Sequence, residues 1–212
     1  MMRPSETVIL VHGLWMTSLV MQPLARRLKR CGYRPVLLTY RSLRKTIHAN
    51  ARALRQIVQQ QPAARVHLVG HSLGGLVILQ ALQDDPALID GRIVLLGSPV
   101  NGSVLARRLH RRRLSRWLVG RGAEGRLAAG GDGWQGQQPL GVIAGTRPVG
   151  VGLVLGGLSG PNDGTVTVAE TRLEGSTDTL QNPTTHTGML FSREVAQAVC
   201  RCLEAGRFAA GA

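Results

Sequence analysis

Aromatic side chains are scarce in this sequence: three Trp, two Tyr and two Phe make up 3% of its 212 residues. Base stacking would have little to work with, and no nucleic-acid-binding motif is present, so nucleic acid is not an expected partner. Long apolar runs are missing too. None reaches the roughly 18 residues that cross a bilayer, which excludes a membrane-spanning helix. Cysteine is limited to three residues. Cys200 and Cys202 stand two apart on an expected helix, roughly 200° around its axis, so no disulfide framework is expected. The residues before Thr7 lack the apolar core and small-residue cleavage site of a signal peptide. The expected location is therefore the cytoplasm.

Acidic residues are also few, 12 against 26 Lys and Arg, and Glu6 is the only one before Asp84. The resulting net charge of +14, with a pI near 11.5, would draw anionic partners toward the surface. A coding bias toward Arg is the ordinary alternative. Hydrophobic residues at 43% and charged residues at 18% give a globular balance, and the length suits one core.

Along the chain, short apolar runs alternate with helical patterns. Thr7–Val11, Tyr33–Tyr40, Arg65–Gly70, Arg92–Leu96 and Leu140–Ala144 read as strands. Helices are expected over Ser18–Arg30, Ile47–Gln60, Leu73–Leu82 and Met189–Ala205. Such alternation predicts an α/β fold with a mainly parallel sheet. Two stretches break the rhythm. Asn101–Gln138, with an Arg cluster and many glycines, reads as a cap inserted over one edge of the sheet. Gly141–Gly160, with seven glycines, reads as a long loop beside the active site.

The strongest chemical signal is Gly70-His71-Ser72-Leu73-Gly74, a G-x-S-x-G placed directly after a strand and directly before a helix. A sharp turn there lifts the Ser72 hydroxyl out of the sheet, and both glycines are required because a Cβ would meet neighbouring backbone. The helix N-terminus beneath it offers free N–H groups to a developing oxyanion. A nucleophilic serine needs a base and an acid, in the chain order Ser, acid, His. His110 lies within the Arg cluster, so His186 in Thr-Thr-His-Thr-Gly is the expected base. The acid must fall between the last strand and His186, among Asp163, Glu170, Glu174 and Asp178. Asp163, in the turn Pro-Asn-Asp-Gly, is favoured; the other three read as solvent-facing charges. The N–H groups of Leu73 and Leu14 are the expected oxyanion hole, with Gly13 letting the chain turn before Leu14. His12 and His71 are expected to hold loops through ring hydrogen bonds.

His12-Gly13-Leu14-Trp15, Gly70-His71-Ser72-Leu73-Gly74-Gly75, Gly97-Ser98-Pro99, Asn162-Asp163-Gly164-Thr165-Val166 and His186-Thr187-Gly188 together resemble the α/β-hydrolase superfamily, within it the small bacterial lipases and esterases. The resemblance implies ester hydrolysis through an acyl-enzyme, without a cofactor or metal. It also implies a minimal six-stranded sheet, since the first antiparallel strands of larger members are missing. Val100 stands where the family has His after its Gly-Thr-Pro. The expected substrate is a small-molecule or lipid ester, with two alternatives: acyl transfer by the same triad, or a non-catalytic anion-binding protein on a hydrolase scaffold. Arg107, Arg108, Arg111, Arg112, Arg113 and Arg116 flank an apolar stripe from Leu105 to Leu118, which reads either as a basic amphipathic helix for an anionic membrane surface or as the solvated face of an ordinary cap helix.

Overall fold

The structure, a computed structural model, describes residues 6–62, 65–111, 133–150, 152 and 157–208. Six strands form one sheet: β1 (Thr7–Val11), β2 (Arg34–Leu38), β3 (Val66–His71), β4 (Ile93–Leu96), β5 (Leu140–Gly145) and β6 (Asp178–Asn182). Their order is β2-β1-β3-β4-β5-β6, and every pairing is parallel. Parallel neighbours need crossovers, and the five connections carry α1 (Gln22–Arg30), α2 (Ile47–Gln59), α3 (Leu73–Asp84), α4 (Val104–Arg111) and α5 (Val168–Thr171), while α6 (Arg193–Ala205) follows the last strand.

The helices explain why the central strands are apolar on both faces. Along β1, Ile9 and Val11 face one core with α2 and α3, while Val8 and Leu10 face a second core with α1 and α6. The same alternation runs through β4, where Ile93 and Leu95 join the first core and Val94 and Leu96 the second. Period-two burial on both sides gives the unbroken Val/Ile/Leu runs of a covered parallel sheet. The N-caps are those a sequence can specify: Thr46 accepts from the Ala49 N–H and Ser192 from the Val195 N–H. The chain reverses winding direction between β1 and β3, and at such a switch point loops diverge and leave a crevice at the strand C-termini.

Four expectations are revised. The sheet has the six strands the resemblance implies, but the sixth, β6, forms where no strand was located, from Asp-Thr-Leu-Gln-Asn, which carries a single large apolar residue and pairs with β5 at the sheet edge. The loop expected from Gly141 starts later, because Gly141–Gly145 belongs to β5. Glu170 is not solvent-facing. Its side chain is 5% exposed, accepts from the Thr167 N–H and hydroxyl in a capping box on α5, and also accepts from the Val104 N–H. Lastly, a disulfide joins Cys31 to Cys200, with Cα atoms 6.4 Å apart. The local spacing of Cys200 and Cys202 gave no hint of it, because the partner lies 169 residues away and meets Cys200 only when α1 packs beside α6. This bond removes the support that cysteine usage lent to a cytoplasmic location.

Of the expected cap, α4 and residues 133–138 are seen; Arg112, Arg113 and Arg116 lie outside the described residues. Within α4, Arg107 is exposed and Arg108 donates to the Gly157 carbonyl. Among the described residues no helix is long and apolar enough to cross a membrane.

The disulfide closes a long loop, so it restricts the unfolded chain strongly. Protein denatured without reductant should expose one titratable thiol, the buried Cys202, and three after reduction. The Cys31→Ser variant should lose on the order of 2–4 kcal/mol of unfolding free energy. Three thiols without reductant would contradict the bond.

Candidate active site

Ser72 sits between the last residue of β3 and the first of α3, with φ +54. Apart from Trp15, it is the only non-glycine at positive φ among the described residues. A turn this sharp brings strand and helix almost into contact, which only glycine accommodates. A side chain on Gly70 would sit 2.6 Å from the Gly75 nitrogen, and one on Gly74 would collide with the Val11 carbonyl oxygen. The Ser72 N–H donates to the Leu96 carbonyl, pinning the turn to the end of β4. The side chain stays partly open to solvent.

Asp163 and His186 arrive from the other side of the crevice. Asp163 Oδ1 accepts from the backbone N–H groups of Thr165 and Val166, which fixes the carboxylate within its own turn. Oδ2 then faces Nδ1 of His186 at 2.7 Å, and the His186 N–H donates to the Asp163 carbonyl. Both side chains are buried, Asp163 at 1% exposure and His186 at 8%. The carboxylate fixes the imidazole tautomer by taking the Nδ1 proton's hydrogen bond, so Nε2 presents a lone pair. Nε2 has no hydrogen-bond partner among the described residues, and none joins it to Ser72 Oγ. Gly97, at the end of β4 with φ +55, makes room for the pair: a side chain there would lie 3.0 Å from Asp163 Oδ2 and 3.1 Å from His186 Nδ1. The other three acids are elsewhere: Glu170 caps α5, Glu174 is exposed, and Asp178 accepts from the Phe208 N–H.

Gly13 brings the loop after β1 against the serine, since a side chain on it would meet Ser72 Cβ and His71 Nδ1, each at 3.1 Å. The backbone N–H groups of Leu14 and Leu73 carry no hydrogen bond among the described residues, and for Leu73 that follows from its place as the first residue of α3. His12 Nδ1 donates to the Gly13 carbonyl. His71 Nε2 donates to the His186 carbonyl at 2.9 Å, and its ring stands 4.7 Å from the His186 ring. Complete burial, with a smaller contribution from His186, pushes the His71 pKa down to about 3, so the ring is a neutral strut. Sequence reasoning did not pick out Gly97 as a site residue or the Tyr40 hydroxyl, which donates to the His12 carbonyl at 2.5 Å. The GSP motif was the available signal for the first, and no local pattern marks the second.

This geometry and this topology define one class of protein. Residues 8–197 match the alpha/beta hydrolase family, and the chain belongs to that family. Among solved structures it is similar to the lipase BlEst2 of Bacillus licheniformis, with TM-score 0.73 and 22% identity over 96% of this chain and 93% of that one. It is similar also to the type II thioesterase BorB from the borrelidin biosynthetic cluster, with TM-score 0.67 and 17% identity over 95% and 94% of the two chains. At these identities the likeness is one of fold. In sequence, 99 residues are 32% identical to a Variovorax paradoxus protein provisionally named carbamate hydrolase RutD, covering 42% of this chain and 37% of that relative. The matched region thus spans little more than a third of the relative's length.

The neutral His71 ring makes stability depend on pH. The unfolded ring takes up a proton below pH 6.5, whereas the folded ring resists until about 3. Its contribution is therefore complete above pH 6.5 and is lost as pH falls toward 3. Between pH 6.5 and 5 the loss from this ring amounts to at most about 2 kcal/mol. His71→Gln keeps a donor without the titration. Urea unfolding at pH 7.5 and 5 should show a smaller drop for the variant, with His12 and His67, both also lowered by burial, supplying the remainder. Equal drops would show that His71 titrates normally.

Proposed function

We propose that this hydrolase-family protein cleaves carboxylic esters through an acyl-enzyme on Ser72. The observation that carries the reading is the buried Asp163–His186 hydrogen bond of 2.7 Å, held at the strand ends where Ser72 stands on its positive-φ turn. In this reading the His186 Nε2 lone pair takes the Ser72 hydroxyl proton as Oγ attacks the ester carbonyl. The carbonyl electron pair moves onto oxygen and is met by the N–H groups of Leu73 and Leu14, each contributing on the order of 3 kcal/mol. Collapse expels the alcohol, which leaves with the proton from His186. Water, deprotonated by the same ring, then frees the acid and restores Ser72. Asp163 keeps its charge throughout and stabilises the imidazolium. The hydrogen bond from Ser72 Oγ to His186 Nε2 forms in the substrate complex, as catalytic bonds tighten when a substrate fills the site. Attack of this kind suits thioesters and carbamates as well, the groups in the names of two of the similar proteins.

Three variants separate the roles. Ser72→Ala should reduce 4-nitrophenyl butyrate turnover to background with the melting temperature kept, and retention of more than a few per cent of kcat would remove Ser72 from the mechanism. Asp163→Asn should lower kcat by about 10³–10⁴ with little change in KM, because the acid acts through the ring. Glu170→Gln, which weakens the α5 cap, should lower stability and leave kcat per folded molecule near wild type. A larger kcat loss in Glu170→Gln than in Asp163→Asn would reassign the acid. Parallel assays of matched ester, thioester and carbamate should rank the ester first.

A further inference from the structure

An open cleft of about 310 Å3 lies beside the serine, walled by Trp15, Met16, Tyr40, Arg41, Leu43 and Arg44. Gly13 is the link: the position of a side chain on it is 3.4 Å from Met16 Sδ, in the cleft wall, and 3.1 Å from Ser72 Cβ. Three features of this cleft are unexplained by hydrolysis itself.

The first is charge. Arg41 and Arg44 are exposed on one short turn and meet no carboxylate, since the ion pairs among the described residues are Arg65–Glu6, His67–Glu6 and Asp163–His186. The second is Trp15. It adopts φ +58, a conformation that costs a bulky side chain free energy, yet it is 49% exposed and gains little from burial. Strain of this sort persists where the backbone is held for a purpose, and Leu43, 40% exposed, gives the cleft a second bare apolar surface. The third is a rigid coupling. Next to Arg41 in the chain, Tyr40 donates to the His12 carbonyl and stacks on the His12 ring at 4.2 Å, which ties the basic turn to the loop carrying the Leu14 N–H.

We infer that this cleft selects the substrate: it takes an ester that carries an anionic oxygen group, phosphate or carboxylate, placed on Arg41 and Arg44 with apolar atoms against Trp15 and Leu43. Two planar guanidinium groups suit either anion. The inference rests on the ester-hydrolase reading of Ser72, and the experiment distinguishes the failure of one from the failure of the other.

Three soluble butyrate esters differ only in the alcohol: 1-butyrylglycerol, 1-butyrylglycerol 3-phosphate and 3-butyrylglycerate. At low salt, kcat/KM for an anionic ester should exceed that for the neutral one about tenfold, the advantage shrinking as salt screens the exposed arginines. Preference for the phosphate ester assigns a phosphate substrate, and preference for the glycerate ester a carboxylate. In an Arg41→Gln, Arg44→Gln double variant that ratio should fall to near one, a readout that general loss of folded protein does not move. A wild-type ratio near one, or a ratio that survives the double substitution, overturns the inference while leaving the esterase reading intact. A preference seen with vesicles of long-chain phosphate esters and absent with the soluble set also overturns it, because surface attraction then replaces recognition in the cleft. Binding is read separately in Ser72→Ala protein, through the tryptophan fluorescence change on titrating 1-butyrylglycerol 3-phosphate and 3-butyrylglycerate. If the wild type cleaves none of the three esters, the esterase reading fails, and loss of this binding on substituting Arg41 and Arg44 still decides the cleft. Binding by neither anion, or binding indifferent to the arginines, then rejects it.

Discussion

The turn at Ser72 is the constraint to which the rest of the molecule answers. A serine at φ +54 is unfavourable by itself, and it survives because strand β3 and helix α3 are both locked before and after it. β3 is paired on both sides, and α3 is buried along nearly its whole length. Glycines at 70, 74 and 75 let the two elements close on each other and on β1. The side chain that would fill Gly75 collides with the Ser98 hydroxyl, so the loop after β4 is fitted to the same point. An alanine at any of these positions would open the turn.

Around that point, parallel topology does the gathering. Because every strand runs in the same direction, the loops after β1, β3, β4 and β5 and the segment after β6 all leave from one edge. Residues as distant in sequence as Gly13, Gly97, Asp163 and His186 therefore meet there. His71 holds the assembly from below, with one nitrogen on the His186 carbonyl and burial keeping the ring uncharged. A protonated ring in that position would stand beside the imidazolium that the proposed mechanism forms on His186, and would oppose it. In the proposed mechanism, then, a neutral His71 favours proton uptake by His186.

The elements legible in the sequence were those whose pattern is imposed by burial. β1, β3, β4 and β5 are legible because two covered faces demand continuous apolar runs. β2, at one edge of the sheet, is legible from its own Val-Leu-Leu run although it is only partly buried, and the turn at Ser72 is legible because its glycines are sterically required. β6 was not read as a strand, since an edge position asks only for backbone pairing and Leu180 as an anchor. Glu170 was misread because a capping box looks, in sequence, like a polar loop. The Cys31–Cys200 bond and the Trp15–Arg44 cleft were hidden for a common reason. Each joins segments whose meeting depends on helix packing or on one long-range hydrogen bond, and no local spacing encodes either. Asp163 and His186 were named as partners from chain order and loop character, and the structure brings those two side chains into contact.

The proposed mechanism turns on a covalent bond to one oxygen, that of Ser72. Rapid mixing with 4-nitrophenyl butyrate, quenched in acid and analysed by intact mass and peptide mapping, tests it most directly. A burst of nitrophenol should be matched by a butyryl adduct on the peptide containing Ser72, with slower decay of the adduct in the Asp163→Asn variant. Steady ester cleavage with the adduct on another residue, or with none under conditions where deacylation is slowed, would contradict it.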